Sequence, residues 1–172
     1  MNADPTNDGK FLELLQENRP KILKICRVYA WDTTDQDDLY QEILFQIWRA
    51  LPNLRDGHFA NTWLYRIALN TALSFVRKHE SRRAHFTVGD GNQWHEVPEN
   101  LPSNDPHKNE QLAQMFKAIS QLDGLEKAAI TLFLEDLSYE QIAGVMGITE
   151  SNVGVMLHRA KKKLSTLMKE AP

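Results

Sequence analysis

The chain has 172 residues, 42% of them hydrophobic and 25% charged, with a formal net charge of −3. This composition is typical of a folded globular protein, the length allows one domain or two small ones, and the slight acidity by itself argues against nucleic-acid binding. No apolar run approaches the roughly 18 residues of a membrane-spanning helix, and the N-terminal residues lack the apolar core of a secretory signal. We therefore expect a cytoplasmic protein with no membrane insertion of its own.

The positions of the charged residues along the chain are more informative than the net charge. Residues 61–85 contain five Lys or Arg against one acid, residues 141–172 contain five against two, and residues 86–140 contain three against ten. Two basic segments separated by an acidic one indicate two contacts with a polyanion such as a nucleic acid. Basic side chains also favour the last turns of helices, so solvated helix ends are the alternative.

The first helical pattern covers residues 10–30, as one or two helices with a kink or break at Pro20. Thr34 is the expected N-cap of the following helix. The apolar residues of the first segment predict its core stripe: Leu12, Leu15, Ile22, Ile25 and Tyr29.

The second helical pattern, over residues 37–51, is amphipathic with an unusual outer face. Leu39, Ile43 and Ile47 recur every four residues and predict the buried side. An exposed aromatic among charged and polar side chains is typical of a protein interface with a buried anchor and a polar rim. The outward set is Asp38, Gln41, Glu42, Phe45 and Arg49.

A third helix is predicted after a turn at Pro52 and Asp56-Gly57. Its apolar face includes Trp63 and Phe75, and its opposite face is polar and basic. Residues 86–109 then break the pattern with Gly and Pro and no sustained period, which predicts a linker. Trp94 within it is a lone aromatic that could pack on its own domain or on a partner.

From Glu110 the helical period returns and leads to a helix-turn-helix. Ser138 and Gln141 predict a capping box, Gly147 a left-handed helix end, and Thr149 the cap of the second helix. The second helix of such a motif places its N-terminal residues at base edges in the major groove. We therefore predict an all-α protein with two small helical domains, residues 1–85 and 110–172, joined by a flexible, acidic linker over 86–109.

These segments resemble a known family. DLYQE at 38–42 and WRAL at 48–51 resemble the polymerase-binding helix of bacterial RNA polymerase sigma factors. TWLYRIALNTA at 62–72 resembles their −10 recognition and melting helix. LSYEQIA at 137–143 and HRA at 158–160 resemble their −35-reading helix-turn-helix. The order of the motifs, with only a linker between the two domains, is similar to the short extracytoplasmic-function (ECF) class.

The resemblance implies a promoter-specificity subunit that is not an enzyme and needs no cofactor. It implies core RNA polymerase and promoter DNA as partners, the acidic face of residues 38–49 as the polymerase contact, and an anti-sigma factor as a further partner. It assigns −10 DNA binding to His58, Phe59, Asn61, Arg66, Asn70, Arg77 and Lys78. It assigns −35 DNA binding to Thr149, Glu150, Ser151, Asn152, His158, Arg159, Lys161 and Lys162.

Three details of this assignment are specific to the chain. Trp63 and Tyr65 could also line the path of the DNA strand, with Arg82 and Arg83 on phosphates. The family usually has basic residues in the −35 helix at the positions of Gly154 and Met156, so a weak or unusual −35 readout is predicted. The acidic linker either occupies the positively charged polymerase channel or is a simple tether.

Three other function classes are less consistent with the sequence. A pure protein adaptor would explain the acidic face of residues 38–49 but would have no use for two basic helices. A stand-alone helix-turn-helix regulator would explain residues 110–165 but would leave the N-terminal motifs without a role. An enzyme is disfavoured because the six His have no metal-ligand spacing, the single Cys26 has no His/Asn grouping and no Gly-rich phosphate loop occurs. Cys26 is expected to be a buried structural thiol. The sequence leaves open whether the two domains pack against each other.

Overall fold

The computed structural model describes residues 5–30, 32–54, 60–86 and 106–170. Across these ranges the chain is helical, without a strand, which confirms the all-α prediction. His58, Phe59, Trp94 and the linker residues 87–105 lie outside the described residues. The helices are α1 (Pro5–Tyr29), α2 (Thr33–Ala50), a short 3-10 helix (Leu51–Asn53), α3 (Ala60–Phe86), α4 (Pro106–Ser120), α5 (Gly124–Phe133), α6 (Tyr139–Met146) and α7 (Glu150–Glu170).

Helices α1, α2 and α3 form the N-terminal half around a shared apolar core. Each contributes fully buried side chains, such as Ile25, Ile43 and Leu64. Helix α1 is a single helix that contains Pro20, rather than two helices. The expected core position of Leu12 is wrong, because this side chain is 59% exposed and its neighbours on α1 make the core contacts instead.

The N-cap of helix α2 is also different from the prediction. Asp32, not Thr34, has the extended backbone of a cap, and its carboxylate accepts a hydrogen bond of 2.7 Å from the N–H of Asp35. A carboxylate at this place satisfies a free backbone donor and carries the charge that the positive end of a helix favours. Thr34 lies within the first turn.

Helices α4 to α7 form the C-terminal half, and its caps were predicted correctly. Ser138 and Gln141 make the reciprocal hydrogen bonds of a capping box at the start of α6. Gly147 ends that helix with a φ of 70°, a conformation that costs glycine nothing. The hydroxyl of Thr149 accepts a hydrogen bond of 3.3 Å from the N–H of Asn152 at the start of α7. Helix α4 begins at Pro106, inside the segment predicted as linker.

The two halves pack against each other in a closed arrangement. Helix α3 contacts α5 and α6, and α1 contacts α4, so that one apolar cluster joins both halves. Two glycines lie at the contact: a Cβ on Gly124 would lie 4.0 Å from Leu73 Cδ2, and one on Gly144 would lie 4.0 Å from Thr62 Cγ2. At both positions an added Cβ would meet the other half in ordinary van der Waals contact, so the two halves touch at these points without a clash. The sequence left open whether the two domains pack against each other, and the structure shows that they do.

Candidate functional site

The predicted outward face of helix α2 is exposed as a unit. Phe45 is 52% exposed, although it is a large apolar side chain, and the opposite face of the helix is buried. Gln46 donates a hydrogen bond of 2.8 Å to Glu42 and thereby orients this carboxylate. Trp48, which belongs to the WRAL motif but not to the predicted outward set, is 37% exposed and adds a second aromatic. The other predicted members, Asp38, Gln41 and Arg49, are exposed as well.

A groove of about 860 Å³ runs between this face and helix α3. Two of the predicted −10 residues, Asn70 and Lys78, reach the groove from α3. At its base the rings of Phe75 and His79 stack with their centroids 4.1 Å apart, and His79 lies 3.7 Å from the Asp35 carboxylate. The structure therefore brings part of the predicted −10 set beside the predicted polymerase-binding residues Asp38, Gln41, Glu42 and Phe45.

The N-terminal end of α3 has a different neighbour. Asn61 accepts a hydrogen bond of 3.4 Å from Lys21 of α1. Arg66 donates a hydrogen bond to the backbone carbonyl of Gly144 in the last turn of α6. Carbonyls in a last helical turn have no partner within the helix and carry its negative end, so a guanidinium satisfies both needs there. Arg66 thus contacts the C-terminal half in this arrangement.

Of the remaining predicted −10 residues, Arg77 is described by the structure, and it is not among the residues that line the groove. Arg77 is exposed and lies 3.3 Å from the Ser74 hydroxyl on the same helix. His58 and Phe59 lie outside the described residues, as do the side chains of Arg82 and Arg83. The predicted set is therefore divided between an open groove and the contact between the halves.

The centre of that contact is Glu135, which sequence reasoning missed. Its carboxylate accepts a hydrogen bond of 3.0 Å from the Tyr65 hydroxyl and one of 2.6 Å from the Lys24 ammonium. The Glu135 side chain is only 6% exposed, and Tyr65 is 2% exposed. Burial, followed by the charge of Glu135 and its hydrogen bond, raises the pKa of Tyr65. Tyr65 therefore does not line an open strand path here.

The backbone around Glu135 explains how it reaches α3. Asp136, the next residue, has a φ of 60°, which turns the chain sharply between α5 and α6. Aspartate tolerates this left-handed conformation better than most residues. Glu135 contacts residues 70 and 111 positions away in sequence. No spacing pattern in the sequence indicates that Glu135 pairs with residues so far away. The sequence shows only a charged residue beside the helix-turn-helix.

The outer face of α7 presents the predicted −35 residues. Every one of them is exposed: Thr149, Glu150, Ser151, Asn152, His158, Arg159, Lys161 and Lys162. Val155 shares this face and is 48% exposed. The ammonium of Lys161 lies 4.0 Å from the centroid of the Phe133 ring, so this lysine also packs on α5.

Helix α7 is fixed to α5 by a charge cluster on its other side. Lys163 donates hydrogen bonds of 2.6 Å to Glu126 and 3.3 Å to Asp123, the N-cap of α5. The Glu126 carboxylate first, and then Asp123, raise the pKa of Lys163. Burial opposes the ionisation of Asp123, but the N–H of Glu126 and the ammonium of Lys163 outweigh it and lower the Asp123 pKa.

Two absences concern the part of the chain that the structure describes. No group of three or more His, Cys, Asp or Glu is arranged there to hold a metal ion. None of the helices in those ranges has the length and apolar character needed to cross a membrane. Cys26 is a buried free thiol, as predicted, and burial raises its pKa to about 12.

Comparison with known proteins divides the chain in the same way as its two helical halves. Residues 14–82 match the family model of sigma-70 region 2, and residues 112–164 match that of sigma-70 region 4. The RNA polymerase sigma-H factor of Pseudomonas aeruginosa is 32% identical, over 92% of this chain and 88% of its own. The ECF RNA polymerase sigma-E factor of Haemophilus influenzae is 31% identical, over 88% and 83%.

A third relative is longer than this chain. The ECF RNA polymerase sigma factor SigE of Mycolicibacterium smegmatis is 27% identical over 88% of this chain, which spans 59% of that protein. Among solved structures, the sigma factor RpoE in complex with the anti-sigma factor NepR from Bartonella quintana has a TM-score of 0.73 at 23% identity, covering 95% of this chain and 99% of that one. CnrH in complex with the cytosolic domain of CnrY has a TM-score of 0.65 at 22% identity, covering 94% and 89%. The fold is therefore shared with both, and the chain belongs to the sigma-70 family of bacterial RNA polymerase sigma factors, in its ECF class.

Proposed function

We propose that this chain is the promoter-specificity subunit of a bacterial RNA polymerase. It binds the core enzyme through α2, recognises and melts the −10 element through α3, and docks α7 on the −35 element. The observation that carries the proposal is the groove between α2 and α3, where an exposed aromatic and acidic face meets the polar side chains of a basic helix. As a family of initiation factors, sigma factors act by binding and positioning.

The α2 face has the composition of a protein contact. Phe45 and Trp48 supply exposed aromatic surface, and the charged and polar residues around them supply a rim. Aromatic anchors surrounded by polar groups account for most of the binding energy at protein interfaces. The core-enzyme contact is therefore assigned to Asp38, Gln41, Glu42, Phe45 and Arg49.

The groove and the adjoining face of α3 suit unpaired DNA. Asn70 offers an amide that both donates and accepts, which is what recognition of a base edge needs. Lys78 at the same groove and Arg77 nearby supply positive charge for phosphates. Melting costs a few kcal/mol per unstacked base step, which capture of the exposed bases offsets. His58 and Phe59, in the segment between α2 and α3, are proposed to hold a displaced base.

The −35 contact is assigned to the N-terminal part and outer face of α7. Gly154 stands where the family usually has a basic residue, and a Cβ there would lie 3.7 Å from the ring of Tyr139. Met156 stands at a second such position and is half-buried. With two cations fewer, the −35 contact is proposed to be weak and to depend on His158 and Arg159.

The domain organisation, the cellular location and a further partner are part of the same proposal. Residues 1–85 and 110–172 are assigned as separate domains and residues 86–109 as the tether between them. The chain acts in the cytoplasm, where the polymerase is. One of the two structural neighbours is a sigma factor in complex with an anti-sigma factor, which supports an anti-sigma factor as a partner of this chain.

Run-off transcription tests the proposal. Purified core bacterial RNA polymerase is mixed with the full chain and a pool of genomic upstream fragments, and discrete transcripts are expected. These transcripts should disappear with Glu42→Lys, which reverses a charge at the polymerase face. DNA binding without any transcript would instead support a stand-alone helix-turn-helix regulator and would contradict the proposal.

A further inference from the structure

We propose that Val155 of α7 recognises a thymine in the −35 element by packing on its C5 methyl group. This inference rests on the proposed function and deepens one part of it, because it names the base that the −35 surface selects. Val155 is not among the residues assigned to −35 DNA from the sequence. The contact it makes is apolar, whereas every residue in that set is polar or charged.

Val155 lies at the centre of the proposed DNA-facing surface. On an α-helix, side chains three and four positions apart are neighbours on one face. Val155 therefore has Ser151 and Asn152 beside it in the preceding turn, and His158 and Arg159 beside it in the following turn. All five side chains are exposed. Because the second helix of a helix-turn-helix places its N-terminal part in the major groove, a side chain in the second turn of α7 faces the base edges.

The fold itself does not require a valine at this position. The apolar residues that α7 buries are others, such as Val153 and Leu157, whereas Val155 is 48% exposed. Valine is also a poorer helix former than alanine. Single exposed apolar side chains are common on protein surfaces. The place of Val155 among polar residues proposed for DNA therefore carries the argument, since it predicts an apolar partner there.

The base edges of the major groove offer an apolar side chain a single kind of partner. Their other groups accept or donate hydrogen bonds, and the C5 methyl group of thymine is the apolar one. A polar group that loses water against valine receives no hydrogen bond in return, which is unfavourable. Burial of the thymine methyl group against valine is favourable. Val155 therefore favours thymine over cytosine, which lacks the methyl group and presents an amino donor.

The stiffness of valine suits this contact. In a helix, the branched side chain is held almost entirely in one rotamer, so its two methyl groups have fixed positions. Little side-chain entropy is therefore lost when they pack on a base, whereas a long flexible side chain would lose more.

The two positions on either side of Val155 increase its share of the recognition. Gly154 and Met156 stand where the resemblance places basic residues. A Cβ on Gly154 would lie 3.7 Å from the ring of Tyr139, and Met156 is half-buried. Neither residue supplies a cation that could contact a phosphate or a guanine beside Val155. Sequence preference in this part of the −35 element therefore depends more on the methyl contact.

Removal of single methyl groups from the DNA tests the inference. The promoter is one that gives a run-off transcript with the full chain and core polymerase. Deoxyuridine replaces each thymidine of its −35 element in turn, on either strand, which removes the methyl group and keeps every hydrogen-bonding group. Binding of the holoenzyme to each fragment is then measured by mobility shift. One substitution should weaken binding about fourfold, which corresponds to about 0.8 kcal/mol for the burial of one methylene-sized group.

Two variants determine whether Val155 makes the contact. In Val155→Ala, deoxyuridine at the sensitive position should have no effect on binding, because the side chain that contacts the methyl group is already removed. Alanine is the better helix former, so this variant keeps α7 intact. Met168→Ala is the matched control, because Met168 is also an exposed apolar side chain of α7 but lies near its C-terminal end. This control should keep the full loss.

The methylated base 5-methylcytosine gives the reverse test. Replacing the sensitive T·A pair by a C·G pair should weaken binding, and 5-methylcytosine in place of that cytosine should recover part of the loss. The recovery should occur with the wild-type chain and not with Val155→Ala, because only the methyl group differs between the two fragments.

Failure of the inference can be distinguished from failure of the proposed function. The inference is overturned if no thymidine of the −35 element is sensitive, if Val155→Ala remains equally sensitive, or if the element contains no A·T pair. Each of these results leaves transcription by the wild-type chain intact. Absence of transcript from the wild-type chain would overturn the proposed function, and this inference with it.

Discussion

The two ends of helix α3 differ in what they face. Its N-terminal end, with Asn61 and Arg66, meets helices of the other half, whereas Asn70 and Lys78 further along line an open groove beside α2. All four side chains are exposed and polar, so sequence alone treats them as equivalent. One amphipathic helix therefore holds both a covered contact and an available one, and substitutions at its two ends should have different effects.

The largest expected effect is on core-polymerase binding, from a substitution on the exposed face of α2. Phe45→Ala should weaken binding to core polymerase by about 30-fold or more, because truncation of an aromatic hot spot costs about 2 kcal/mol. Leu12→Ala is the matched control, since Leu12 is a similarly exposed apolar side chain on α1. Fluorescence anisotropy with labelled chain would measure both. A Phe45 variant that binds as well as the Leu12 variant would remove α2 as the contact.

Asn70→Ala should reduce run-off transcription by about tenfold while leaving core binding unchanged. Loss of a base-edge contact costs about 1–3 kcal/mol of discrimination. Arg66→Ala should have a smaller effect, since Arg66 bonds to the Gly144 carbonyl rather than lining the open groove. Permanganate footprinting of the melted −10 region checks both variants. A larger defect for Arg66→Ala than for Asn70→Ala would reverse the assignment of the two ends.

A smaller effect is expected on the stability of the helix-turn-helix. Gly147→Ala should destabilise the fold by about 1 kcal/mol and lower Tm by roughly 2–4 °C, because its φ of 70° is strained for any residue with a Cβ. Gly9→Ala in α1, with nothing within 4 Å of an added Cβ, should leave Tm unchanged or raise it. Thermal unfolding followed by circular dichroism compares them. Equal Tm values would show that the turn is not strained.

The smallest expected effect is on the thermal stability of the protein at acid pH. The lowered pKa of Asp123 contributes stability that is fully present above its unfolded pKa of about 4 and is lost as pH falls through the folded value. Asp123→Asn keeps a good N-cap but removes the charge, so the decline of Tm below pH 4 should become shallower. Tm measured from pH 6 to pH 3 tests this. Parallel curves for the variant and wild type would show that the Lys163 pair contributes nothing.

The local features were predictable because their causes are local. Ser138, Gln141, Gly147 and Thr149 act through hydrogen bonds or backbone angles within a few residues, and all were predicted in their roles. The N-cap of α2 at Asp32 was not predicted, because Thr34, two residues later, is also of a type that favours this position. The exposed face of α2 followed from helical periodicity.

The contact between the halves was not predictable. Glu135, Tyr65 and Lys24 are far apart in sequence, and nothing in their surroundings marks them as partners. Tyr65 looked like a strand-facing aromatic because its burial depends on helices that follow much later. Long-range pairing of this kind is determined by tertiary packing, which residue spacing does not report.

The proposed function requires that the chain and core polymerase together melt promoter DNA, and permanganate footprinting of the genomic fragments that give transcripts measures this directly. Reactive, unpaired thymines in the −10 region are expected when core polymerase and the full chain are both present, and not with either alone. A duplex that stays paired when both are bound would contradict the proposed function.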